Sequence, residues 1–156
     1  MTQYPNDIPN DIEIHKRYYN EICEKLKQDP YANSLGIRLV EVGQGSAIAE
    51  IEITDQMLNA HGTTHGAVIF ALADFVFAVA SNSYGKTSVA LSMNIGFLSA
   101  SSKGSILRAI AVEEKRNNRT AWYQIHVTNG EELVAVLGAL AYRKNNYFVT
   151  LETKDS

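Results

Sequence analysis

Residues Asn59–Gly85 read NAHGTTHGAVIFALADFVFAVASNSYG, and the second half of this stretch carries a single charged side chain, Asp74. From Gly66 onward aliphatic and aromatic residues fall on every face of a 3.6-residue period. That pattern predicts a helix over Gly66–Ser83 that is surrounded by other structure, with Gly85 as a stop signal just beyond it. Among Phe70, Leu72, Phe75, Val76 and Phe77, an ionised Asp74 costs several kcal/mol unless it is paired, hydrogen-bonded or protonated. Such an acid is either a structural anomaly or a working group. His61, Gly62, His65 and Gly66 precede it, where the chain can turn sharply into the helix. The apolar run Ala67–Ala80 falls short of the roughly 20 residues a membrane span needs and has Asp74 at its middle, so it reads as a buried helix.

On either side of this helix the sequence turns β-like. Upstream, Ile37–Val42 and Ala47–Thr54 flank the turn Gly43-Gln44-Gly45-Ser46, and Ile48, Glu50 and Glu52 alternate with Ala49, Ile51 and Ile53 as in a half-buried strand. Downstream, four segments follow: Ser88–Leu98, Ser105–Lys115, Thr120–Thr128 and Leu133–Arg143. Asn117-Asn118 and Asn129-Gly130 separate the last three, which predicts an antiparallel meander. Further upstream, Ile12, His15, Tyr19, Ile22 and Leu26 follow the helical period from an Asp11 N-cap to about Lys27, before Pro30. Residues 1 to 11, with Pro5 and Pro9, read as a loose arm, and Asn33, Ser34 and Gly36 as a linker. The expected class is α+β: an antiparallel sheet of about six strands curled around one long helix, residues 35–156 forming that domain and residues 1–34 an N-terminal arm and helix. Its open edges invite pairing with a second subunit.

A chain of 156 residues that is 46% hydrophobic can bury a sizeable core, and a net charge of -3 gives no global reason to bind nucleic acid or an anionic membrane. Cys23 is the one cysteine, so no internal disulfide forms and no cysteine–histidine spacing suits a metal. The N-terminus lacks the basic-then-apolar order of a signal peptide, which makes a cytoplasmic setting the default.

The pattern Asn59-x-x-Gly62-x-x-His65-Gly66-Ala67, continuing through Phe70, Leu72, Ala73 and Asp74 to Asn82, resembles the signature of the hotdog-fold acyl-CoA thioesterases. Within them it is most similar to the PaaI-like, phenylacetyl-CoA thioesterase branch. Asn94–Leu98, Gly104 and Leu107 resemble the following strand and turn, so the likeness runs from about Leu35 to Arg143. It implies hydrolysis of acyl-CoA thioesters, phenylacetyl or related aryl and medium acyl groups, without a cofactor, coenzyme A being part of the substrate. Asp74 matches the catalytic nucleophile or general base and Gly66 the backbone N–H that holds the thioester oxygen. Asn59 matches a polar residue that positions water or carbonyl, and His65 supports the loop or polarises the same oxygen. Ala67, Phe70, Phe75 and Ala78 are candidates for substrate binding, Phe70 and Phe75 as core or pocket wall; Lys103, Arg116 and Arg119, with Lys115 and Arg143, are candidates for the coenzyme A phosphates. Three positions depart from the family pattern: Ala67 replaces a second glycine, and Gly96 and Ser105 stand where many relatives carry aspartate.

The spacing of Gly66 and Asp74 carries an argument of its own. Eight residues of helix rise about 12 Å, so one chain cannot bring both groups to one carbonyl. A twofold pairing of antiparallel helices can, which predicts a homodimer and, with a second interface, a homotetramer. Taken alone, His65 or Asn59 would read as a structural histidine or a turn cap, and Asp74 as an acid paired out of sight. The alternative function is a non-catalytic acyl-CoA-binding module; a dehydratase is weaker, because His65 precedes the helix rather than lying on it.

Overall fold

The computed structural model describes residues 10–152, so the expected arm lies, up to residue 9, outside the described residues. The elements run α1 (Asp11–Arg17), α2 (Tyr19–Leu26), α3 (Pro30–Leu35), β1 (Arg38–Gly43), β2 (Ser46–Glu52), α4 (Gly66–Asn82), β3 (Lys86–Phe97), β4 (Ile106–Arg116), β5 (Thr120–Asn129) and β6 (Glu132–Tyr147). The strands form an antiparallel sheet in the order β1-β2-β4-β5-β6-β3. The hairpin and the meander stand where alternation and turn residues put them. β3 crosses to the far side and pairs with β6 from Lys86↔Tyr147 to Phe97↔Ala135, which leaves β1 and β3 as the edges.

The N-terminal segment differs from the sequence reading in three ways. Asn10, not Asp11, caps α1: its Oδ1 accepts from the Glu13 N–H at 3.0 Å, while the Glu13 carboxylate accepts from the Asn10 N–H. Asp11 is thereby free to pair with Arg116 and Arg143 on the sheet. The single helix expected through Lys27 breaks at Tyr18, whose ring packs with Ile14, Ile22 and Val149 in a small second core and whose hydroxyl accepts from the Glu152 N–H. The expected linker holds a helix, α3. Asp29 caps it through the Ala32 N–H, Pro30 occupies its first position, and Gly36 at φ 77° ends it.

Size complementarity explains how a strongly curved sheet closes on α4. The sheet's inner face is lined by small buried residues, among them Ala47, Ala49, Ala109, Ala111, Ala121, Ala139 and Ala141, while the helix supplies Leu72, Phe75, Val76, Phe77 and Val79. Larger strand residues, Ile51, Leu107, Tyr123, Ile125 and Leu137, fill the rest of the same core, so small and large side chains interdigitate without overpacking. Phe77 meets Tyr123 edge to face at 5.4 Å, and the Tyr123 hydroxyl donates to Glu113 at 2.9 Å. Phe77→Ala is expected to cost about 3–5 kcal/mol, read as a lower urea midpoint at unchanged slope.

The helix is not surrounded on all sides, as its composition suggested. Ala67 and Asp74 are exposed and Phe70, Ala71 and Ala78 half-buried, one stripe along α4. The edge strand β3 exposes Val89, Leu91 and Phe97, with Leu98 just beyond its end. Among the described residues no helix is long and apolar enough to cross a membrane.

Candidate active site

The loop between β2 and α4 is built to present the first turn of the helix. The Asn59 N–H donates to the Thr63 carbonyl at 2.8 Å and the Gly62 N–H to the Asn59 carbonyl at 3.0 Å, a closure that requires φ 77° at Gly62. The Asn59 side chain works inside the same loop: Oδ1 accepts from the N–H groups of His61 and Thr63, and Nδ2 donates to Thr63 Oγ1. Thr64 anchors the loop to the β3–β4 connection, its N–H donating to the Ser101 carbonyl at 2.8 Å and its hydroxyl accepting from Ser101 Oγ at 2.7 Å.

His65 caps the helix. Its Nδ1 accepts from the Ala67 N–H at 3.0 Å, so the neutral imidazole carries its proton on Nε2 and can donate outward. Among the described residues no group accepts from the Gly66 N–H. That N–H therefore stands free at the positive end of a 17-residue helix. Beside it a cavity of about 310 Å³ is lined by Thr64, Gly66, Ile69, Phe97, Leu98, Ser99 and Ala100. A Cβ at Gly66 would lie 3.1 Å from the Phe97 ring, so the bare glycine keeps the approach open. Thr64 and Phe97 were not singled out in the sequence; Phe97 falls within the strand segment that carried the family likeness, but nothing local marks it as the wall beside Gly66.

Asp74 lies two turns further along the helix. It is exposed on the open stripe, with Phe70, Ala71 and Ala78 one turn to either side, and no hydrogen bond within the described residues engages it. Partial burial first, and the negative charge of Asp29 second, raise its pKa above the ordinary aspartate value. Asp29 is the cap of α3, so the N-terminal segment brings a second acid toward the first. Of the other candidates, Ala67, Phe70 and Ala78 share the open stripe with Asp74, whereas Phe75 is buried and turns toward β1 and α3.

The basic candidates separate clearly. Arg116 pairs with Asp11 and with Glu113, and Arg143, 3% exposed, donates to Asp11 and to the Asn117 carbonyl, each at 2.7 Å. Both cations thus anchor α1 to the sheet. Lys103 forms an exposed pair with Asp55, and Arg119 and Lys115 are exposed. No three His, Cys, Asp or Glu side chains among the described residues gather as a metal site.

An N-cap turn with a free N–H, a helix carrying one unpartnered acid and a curled sheet around them together describe a known arrangement. Residues 61–136 match the thioesterase superfamily. The acyl-coenzyme A thioesterase PaaI of Escherichia coli K12 is 34% identical over 123 residues, 79% of this chain and 82% of that protein. The chain belongs to the hotdog thioesterase superfamily. Its relatives place it in the PaaI-like branch, and so in a family of acyl-CoA thioester hydrolases. The solved E. coli PaaI superposes with a TM-score of 0.78 at 31% identity, over 86% of this chain and 96% of that one. A phenylacetic acid degradation protein PaaI from Thermus thermophilus, solved as a mutant, gives 0.72 at 35% identity, over 74% of this chain and 100% of that one. A Streptococcus mutans protein solved with acetyl-CoA gives 0.68 at 26% identity, over 71% and 90%.

Proposed function

We propose that this thioesterase hydrolyses compact acyl-CoAs, phenylacetyl-CoA among them, in a site that two copies of the chain assemble. One observation carries the reading: the Gly66 N–H and the Asp74 carboxylate both lack a hydrogen-bond partner among the described residues and lie two turns apart on one open side of the helix. Two such helices laid antiparallel about an axis near Phe70 would set each Gly66 against the other copy's Asp74. The β3 edge offers the means, because pairing β3 with β3 continues the sheet and covers Val89, Leu91 and Phe97.

The chemistry follows from the two groups. Asp74 takes a proton from water as the water oxygen attacks the carbonyl carbon, or attacks that carbon itself. In either route the carbonyl π pair moves onto oxygen, where the Gly66 N–H and the helix dipole hold it. In the base route collapse breaks the C–S bond, coenzyme A leaves with the proton that Asp74 took, and the free acid remains. In the nucleophile route collapse expels the coenzyme A thiolate and leaves an acyl-aspartyl anhydride. Water hydrolyses that anhydride to the free acid, restoring the Asp74 carboxylate and supplying the thiol proton. The His65 Nε2–H is a second donor for the same oxygen, and Asn59 keeps the loop in shape. Lys103 and Arg119 are the exposed cations for coenzyme A phosphates. Arg116, tied to Asp11 and Glu113, serves the fold instead.

The outer face of the sheet carries Ile48, Ile110, Val112, Trp122 and Leu140, an apolar surface suited to a second interface and a tetramer. Two measurements test the reading. Thiol release from phenylacetyl-CoA and a series of straight-chain acyl-CoAs should show turnover, and silence on every thioester would overturn it. Light scattering after size exclusion should give a mass of two or four chains; a monomer that turns over would end the shared-site proposal.

A further inference from the structure

A thioester extends on both sides of its carbonyl, so a site needs room for two arms. The cavity at Gly66 provides one. A second cavity of about 360 Å³ lies on the side of α4 that Phe75 faces, between that residue, the end of α3 and the start of β1. Ile37, Leu39 and Phe75 form its apolar walls, and Lys27, Asn33 and Arg38, the last paired with Glu50, stand at its polar rim. Phe75 follows Asp74 directly, and Asp29, which opens α3, is near enough to raise the Asp74 pKa. The segment that frames the cavity therefore packs against the helix that carries the acid.

We infer that this cavity is the acyl pocket, and that the N-terminal segment, through Leu39 and Ile37, sets which acyl groups the enzyme accepts. The inference rests on the thioesterase reading above and adds to it the pocket's place and its selecting residues. An apolar floor suits the acyl body rather than a charged nucleotide. The volume falls at the lower end of small-molecule sites, roughly 300–1,000 Å³, and so favours a ring or a short branched chain over a long one. Gly36 contributes by omission: a Cβ there would meet nothing within 4 Å, so the end of α3 leaves the space unfilled. Leu39, half-buried on the edge strand β1, packs against the rim of the core and lines the cavity, so a change in its size alters the cavity's volume.

The test measures kcat/KM across acyl-CoAs from acetyl to dodecanoyl, with phenylacetyl-CoA included, for the wild-type chain, Leu39→Trp and Leu39→Ala. Filling the cavity in Leu39→Trp is expected to lower the phenylacetyl-to-acetyl ratio at least tenfold. Emptying it in Leu39→Ala is expected to move the optimum by two or more carbons toward longer chains; the pair keeps the test alive should one variant fail to fold. Equal changes on every substrate, with free coenzyme A losing potency as an inhibitor, would assign the cavity to the other arm and overturn the inference. An unchanged profile in a folded variant would also overturn it while leaving the thioesterase reading intact. A wild-type chain silent on all thioesters would overturn both.

Discussion

Asp74→Asn is expected to leave an assembled protein whose kcat on its best acyl-CoA is lower by roughly 10²–10⁴-fold, the usual worth of a positioned base. The amide matches the carboxylate in shape and cannot take a proton or attack a carbonyl. The pH profile gives a second signature. Partial burial and the neighbouring Asp29 raise the Asp74 pKa, and the ionised form is the working one, so wild-type kcat/KM should climb through a midpoint above the ordinary aspartate range. That limb should vanish from the residual activity of the variant. Stability should move the other way. A carboxylate whose folded pKa is raised contributes stability below its unfolded pKa and loses it as pH rises through the folded one. At neutral pH the charge is a burden on the fold, so Asp74→Asn should melt no lower than wild type at pH 7, any gain fading below about pH 4, where free aspartate is protonated. A variant that keeps wild-type turnover would remove Asp74 from the mechanism.

Much of this architecture is legible because its signals are local. Alternation in β2 and the asparagine-bearing turns of the meander decide side-chain direction within a few residues, and the structure has those strands where the pattern lies. What local pattern cannot express is which strand a segment finds across the sheet. β3 precedes β4 in sequence but pairs with β6, and only that crossing makes it an edge beside the open stripe of α4. Hydropathy also fails to separate a core face from an interface face. Ala67, Ala71 and Ala78 are as apolar as core alanines, yet they line the exposed stripe, and Asp74 shares their solvent rather than a sealed interior. The missed helix α3 is only six residues long, too short for periodicity, although Asp29-Pro30 at its start and Gly36 at its end are the expected cap signals. The pairing of Arg116 was illegible for a related reason: its partner Asp11 lies 105 residues away, and no local feature distinguishes an anchored arginine from a solvated one.

Activity should be recoverable from two inactive chains. Gly66→Pro deletes the proposed oxyanion donor with little local damage. Gly66 is the first residue of α4, where proline is favoured, and His65 before it already has φ −63° and ψ 133°, the region a pre-proline residue adopts. The added ring atoms must displace the Phe97 side chain by a few tenths of an ångström, which a ring bordering a cavity can give. Loss of the donor should cost roughly 10²–10³-fold in kcat. Neither Gly66→Pro nor Asp74→Asn alone should then turn over appreciably. Co-expressed at equal levels with separate tags, the two chains should mix so that half of the dimers contain one of each. Such a dimer has one site carrying both lesions and one carrying neither, so the mixture should regain about a quarter of wild-type activity, and dimers purified through both tags about half. The two groups stand about 12 Å apart along one rigid helix, so a site formed within a single chain would recover nothing. Wild-type mass with no recovery in the doubly tagged dimers would place the donor and the acid in the same subunit and overturn the shared site.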